Sequence, residues 1–218
     1  MDRKDASEDC EFLLNAFHKD ALNELGNIAS GHALTALSEM TSMTIDVEVP
    51  TVDVMMIKDE KKKQIEAEKM VAGICLRLDG GLSGYLEVLF PGKSALHLVD
   101  FFMGKMPGET KNIESKMEGS VLMEIGNVLA SAFCDAIAEF FQFSLLPSPP
   151  SLYFDELSAL VKRGMIAVTE ANEPESRIIR FKCVFQDENG NDLHGNILLF
   201  PHPKGLNNIL SLLEAKVA

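Results

Sequence analysis

Two short stretches of this chain carry side chains whose types and spacing can do chemistry: Glu24-Leu25-Gly26-Asn27 and Glu124-Ile125-Gly126-Asn127. On a helix, residues three apart lie on one face, one turn from each other. A carboxylate and a carboxamide so placed make a two-pronged tool. The carboxylate accepts hydrogen bonds from an ammonium group, and the carboxamide both donates and accepts, so it can orient a water molecule. Neither is a good nucleophile at neutral pH, and no Ser–His or Cys–His couple accompanies them. Such a tool suits a reaction whose electrophile is activated elsewhere.

Other chemistries find little footing. Cys10, Cys75, Cys134 and Cys183 show no CxxC spacing, and none begins the Cys-x5-Arg loop of a cysteine phosphatase, so inert buried thiols are expected. His18, His32, His97, His194 and His202 form no HxxxH or HxH pair, which leaves metal ligation by the protein unsupported. The glycine-rich segment 78–84 (LDGGLSG) lacks P-loop spacing and reads as a hairpin turn. A net charge of −13 argues against nucleic acid and against anionic lipid. A phosphorylated substrate must therefore bring its own cation. The charged N-terminus (MDRKDASEDCE) has no signal-peptide core, no membrane-spanning run is evident, and a cytoplasmic protein is expected.

The elements that must hold the two tools are duplicated. Asp20 corresponds to Ser120, Ala36 to Ala136 and Pro50 to Pro150, all at an offset of 100 residues, and 84–91 (GYLEVLFP) resembles 195–201 (GNILLFP) at an offset of about 110. Long amphipathic helices are predicted over 12–41 and 116–142, the second opened by a capping box, Ser115 to Glu118. With Glu24 at zero on the helical wheel, Asp20 falls at about −40° and Asn27 at about −60°, opposite an apolar stripe of Leu22, Leu25, Ala29, Ala33, Ala36, Leu37 and Met40. Ser120, Glu124, Asn127 and Ser131 repeat the polar stripe, and Leu122, Ile125, Leu129, Phe133, Ala136, Ile137 and Phe140 repeat the core. Asn is a mediocre helix former, and Gly costs roughly 1 kcal/mol against Ala in mid-helix. Placing Gly-Asn there twice sacrifices stability twice on one pattern. A close approach of the two long helices can explain the glycines but not the asparagines.

Strands are predicted at 43–49, 143–146, 70–78, 83–91, 165–173, 177–186 and 193–201, further helices at 93–104, 152–163 and 204–216, and a charged solvent-facing insertion at 58–69. The expected fold is α+β: a single pseudo-two-fold domain of two repeats, about 12–106 and 112–217. Its two long helices pack on a mostly antiparallel sheet of about six strands. A monomer is expected, because duplication already supplies an internal two-fold.

The pattern Asp/Ser-x3-Glu-x2-Asn-x22-Pro, read as Asp20, Glu24, Asn27, Pro50 and as Ser120, Glu124, Asn127, Pro150, resembles the signature of the CheC/CheX/FliY family over nearly the whole chain. The resemblance implies a phosphatase acting on the aspartyl-phosphate of the response regulator CheY. In that role Asn27 and Asn127 hold the attacking water, and Glu24 and Glu124 engage the substrate's lysine. No cofactor is implied on this chain, because Mg²⁺ is bound by the substrate. A second implied partner is the receptor deamidase CheD, with the helix at 152–163 as a docking surface. The rival expectation is an adaptor that binds the regulator and CheD without turnover; a flagellar-switch component ranks below both.

Overall fold

A helix beginning at residue 116 must satisfy its first backbone N–H groups, and Ser115 does so. Its Oγ accepts from the Glu118 N–H, and Glu118 Oε2 accepts in return from the Ser115 N–H, each at 3.2 Å. The capping box expected from sequence is therefore formed. The computed structural model describes residues 16–41, 46–47, 51–56, 70–113, 115–168, 177–186, 192–202, 208–212 and 214. The long helices are α1 (Ala16–Thr41) and α3 (Lys116–Phe141), each of 26 residues and displaced by the predicted offset of 100. Between them stand α2 (Gly92–Phe102) and the strands β1 (Asp46–Val47), β2 (Thr51–Met56), β3 (Val71–Gly80) and β4 (Gly84–Pro91). After α3 follow β5 (Leu145–Pro147), β6 (Ser151–Asp155), α4 (Leu157–Val168), β7 (Arg177–Gln186) and β8 (Asp192–Pro201).

All eight strands join one sheet through antiparallel pairs, in the order β1/β2–β7–β8–β4–β3–β5/β6. The six expected ladder positions are present, with each outer position filled by two short strands. At one edge the break is the Pro147-Ser-Pro-Pro150 run, because proline cannot continue a ladder. The two halves meet where β4 pairs with β8, Glu87 lying opposite Leu198. They also exchange edges: β2 pairs with β7 of the second half, and β5 and β6 pair with β3 of the first. Leu86, Val88, Ile197 and Leu199 face the long-helix core, whereas Leu89, Leu198 and Phe200 face the other side. That facing aligns Gly84 with Gly195 and shifts the Phe-Pro ends of the two strands by one residue.

Two expected elements differ from the structure. The segment 152–163, predicted helical, begins as strand β6, and 165–173, predicted as a strand, begins inside α4; residues 169–176 lie outside the described ones. Residues 151–155 complete the edge beside β3, and the helix then seats Leu160 and Val168 on the second face of the sheet. The strand expected over 43–49 lies mostly outside the described residues, as do the insertion at 58–69, the helix start at 12–15 and Cys10, while 208–212 is helical. Met40, assigned to the core stripe, is exposed near the end of α1. Helix α3 is long and apolar enough to cross a membrane by length and composition, yet Leu122, Ile125, Leu129, Phe133, Ile137 and Phe141 along it are buried.

The glycine expected between the two long helices has a different neighbour. A Cβ on Gly126 would lie 2.4 Å from Ile74 Cγ1 and 2.7 Å from Ile74 Cβ, so this glycine lets α3 settle onto strand β3. On the opposite face, Glu87 is buried beneath α4, 1% exposed, where Gly164 leaves room for its carboxyl: a Cβ there would lie 3.0 Å from Glu87 Oε1. Glu87 Oε2 has no hydrogen-bond partner among the described residues. Burial pushes the Glu87 carboxyl up to about 8, against the opposing pull of a hydrogen bond with its cross-strand neighbour Cys75 and the charge of Arg163.

Two outcomes follow for stability. Gly126→Ala should destabilise the fold by roughly 1–3 kcal/mol despite alanine's better helix propensity, because Ile74 has little room to yield; denaturant unfolding measures it. Between the ordinary carboxylate value of 4.5 and about 8, the native state holds a proton on Glu87 that the unfolded chain has released. Stability from this group is therefore greatest below 4.5 and is lost as pH rises through 8. Glu87→Gln should remove that decline, on the order of a few kcal/mol across the window, which appears in the difference between the two unfolding curves against pH.

Candidate functional site

The helical pattern that buries Leu22, Leu25, Ala29, Ala33 and Leu37 forces the intervening polar residues outward. Glu24, Asn27 and Glu124 are exposed and Asn127 is half-buried. None of the four makes a hydrogen bond or ion pair with another described residue, so both prongs of each pair are free to meet something outside the chain. Gly126, between Glu124 and Asn127, is buried, and its lack of a side chain brings the helix down onto Ile74. The glycine therefore fixes the height at which the pair emerges. The rigidity of the pair comes from the helix, and the rigidity of the helix comes from the sheet.

The supporting residues have more modest places. Asp20 is exposed on α1. Ser120 is exposed, but its hydroxyl donates to the Lys116 carbonyl one turn back at 2.7 Å. Pro150 sits between β5 and β6. There Ser148 locks the edge, its Oγ accepting from the Arg77 N–H at 3.0 Å and its own N–H donating to the Arg77 carbonyl at 2.8 Å. Pro50 lies outside the described residues.

Each pair stands at its own end of the helix layer. The two-fold normal to the sheet at β4–β8 reverses any in-plane direction, so α1 and α3 run antiparallel. His32 Nε2 on α1 lies 3.7 Å from Glu139 Oε2 on α3, which sets the midpoint of the helix pair near residues 35 and 135. At a rise of 1.5 Å per residue, each Glu/Asn pair lies roughly 15 Å from that midpoint and the two are roughly 30 Å apart. They are therefore two sites rather than two halves of one.

The remaining chemistry-bearing residues lie elsewhere. Cys75, Cys134 and Cys183 are buried and free, and burial pushes the Cys134 and Cys183 thiols up to about 12 and about 11. Among the described residues no group of three or more His, Cys, Asp or Glu side chains is placed to hold a metal. Sequence reasoning passed over Met117, which on the helical wheel falls within about 20° of Glu124, two turns earlier. Its exposure at 65% was the missing signal, because an apolar side chain at that angle had no core to join.

Known proteins give the same picture. The sequence model of the CheC-like family matches residues 17–53 and again 117–153, each match covering one long helix and the segment that follows it. The CheY-P phosphatase CheC of Bacillus subtilis (strain 168) is 27% identical over 183 residues, 84% of this chain and 87% of that protein. Among solved structures, Thermotoga maritima FliY superposes with a TM-score of 0.75 at 19% identity, covering 93% of this chain and 98% of that one. The FliM middle domain from H. pylori superposes with a TM-score of 0.62 at 10% identity, covering 91% and 99%; at such identities these two likenesses speak for the fold. Both Glu/Asn pairs lie inside the two segments that match the CheC-like family model, on helices of equal length, and over those segments the chain is similar to that family.

Proposed function

We propose that this chain is a phosphatase with two sites, hydrolysing the aspartyl-phosphate of a CheY-type chemotaxis response regulator. The observation that carries the reading is the outward, unengaged Glu/Asn pair present in both halves. The B. subtilis relative is by name a CheY-P phosphatase. In this reading the regulator contributes the phosphoaspartate, a bound Mg²⁺ and a lysine, which removes the difficulty a chain of net charge −13 would have with a phosphate. The Glu24 or Glu124 carboxylate accepts hydrogen bonds from that lysine and fixes the docking. The Asn27 or Asn127 carboxamide holds a water in line with phosphorus. The water oxygen forms the new P–O bond, the bond to the aspartate oxygen breaks, and the products are inorganic phosphate and a free aspartate on the regulator. No phospho-enzyme forms on this chain. The catalytic contribution is positioning and preorganised polarity, which phosphoryl transfer rewards.

The test is the decay of phosphorylated regulator with this protein added. Asn27→Ala combined with Asn127→Ala should slow the stimulated decay by on the order of 10²–10³, each single variant retaining the turnover of the other site. Glu24→Ala with Glu124→Ala should act chiefly by raising the KM for the regulator. Unchanged decay in the double asparagine variant, alongside intact regulator binding, would leave the adaptor reading instead.

The deamidase CheD is proposed as a second partner, on α4 rather than on the whole segment 152–163. That helix seats Leu160, Gly164 and Val168 inward and presents Ile166, 67% exposed, outward. Ile166→Glu should abolish capture of CheD while leaving regulator dephosphorylation in its absence intact; capture at wild-type strength refutes this placement.

A further inference from the structure

The connection between the two halves is built in a way that the Glu/Asn chemistry does not require. The Asp100 side chain is 1% exposed and accepts the Gly108 N–H at 2.7 Å and the Thr110 N–H at 2.8 Å, while its carbonyl accepts the Lys105 N–H at 2.8 Å. Burying a carboxylate is costly unless such partners compensate it, so the turn it organises is firmly held. Within that turn the Met106 N–H donates to Glu109 Oε2 at 3.1 Å and its carbonyl accepts the Glu109 N–H at 3.0 Å. Lys105 Nζ donates to Thr110 Oγ1 at 3.0 Å and lies 3.6 Å from Glu118 Oε1, fastening the turn to the first turn of α3. The residues adjoining that ion pair are Met106 and Met117, 75% and 65% exposed, the former more exposed than any other large apolar side chain described. A backbone bonded on both sides holds the Met106 side chain out in water, next in sequence to the lysine fastened to the start of α3.

We propose that Met106 and Met117 form an apolar docking contact for the regulator at the α3 site, giving that site a tighter grip on its substrate than the α1 site has. The inference rests on the phosphatase reading above. The occupant is the regulator because Met117 continues the Glu124 stripe, preceding Glu124 by two turns, roughly 10 Å along the same face, and Met106 stands on the turn fastened to that end of α3. A protein seated on Glu124 and Asn127 covers that ground. Methionine suits the task, being flexible and polarisable enough to adapt to a partner's apolar surface. The α1 site has no counterpart at the equivalent helical position, where Phe17 is half-buried and packed into the core.

The experiment isolates each site in the full chain. With Asn27→Ala present, turnover comes from the α3 site, and Met106→Ser with Met117→Ser should raise the KM for phosphorylated regulator about tenfold with kcat unchanged. With Asn127→Ala present instead, the same substitutions should leave KM alone. Leu146→Ser, at another exposed apolar residue (64%), controls for general loss of surface hydrophobicity and should change neither parameter. Titration with beryllofluoride-loaded regulator should show the same weakening without any turnover. An unaltered KM and affinity, or an equal loss in both backgrounds, would overturn the methionine contact while the asparagine effects stand. Should the asparagine variants instead retain full activity, the phosphatase reading falls, and the titration alone decides whether the methionines hold the regulator.

Discussion

The antiparallel pairing of β4 with β8 is the constraint on which the rest of the structure depends. It joins the halves into one sheet and defines the axis that relates them. It also sets α1 and α3 antiparallel, which sends the two Glu/Asn pairs to opposite ends of the helix layer. Because the strands at this seam are covered on both faces, their sequences run nearly continuously apolar instead of alternating. Glu87 interrupts that run, lying in the seam with its carboxyl buried.

The helices owe their positions to that sheet, and the functional side chains owe theirs to the helices. A carboxylate and a carboxamide on a mobile loop would have to be ordered at each encounter, whereas on a buried-face helix that cost is met during folding. Gly126 shows the trade directly: a residue poorly suited to a helix interior is accepted because it lets α3 approach β3 closely. Asn127 follows it and inherits the height thus set.

Much of this was legible from residues alone. The 100-residue offset, the capping box at Ser115 and the outward phase of Glu24, Asn27, Glu124 and Asn127 all come from local pattern, and local pattern governs helices. What failed was what depends on distant partners. The run Met165-Ile-Ala-Val168 reads as a strand by its apolar content, yet the second face of the sheet needed a cover, and Leu160, Gly164 and Val168 provide it at helical spacing. Residues 151–155 became a strand because Val71–Cys75 offered an open edge. The Phe-Pro match between β4 and β8 was misaligned by one residue, because sequence likeness does not report which face a side chain takes. Lys105 and Met106 escaped notice because a buried Asp100 and an ion pair to Glu118 bring their turn to the start of α3, and no periodicity encodes either.

The exchanged edges have a consequence for how the molecule is made. Strand β2 is held by β7, and Asp53 on β2 pairs with Arg180, 127 residues further along the chain. At synthesis rates of about 5–20 residues per second, β2 waits on the order of ten seconds for its partner to leave the ribosome. Over that interval the first half carries an open ladder on β3 and a helix destined to share its core with residues not yet made. Contacts of such long sequence separation also form slowly once available. Birth, rather than the finished state, is when this protein is most exposed to mispairing with a neighbour of its own kind.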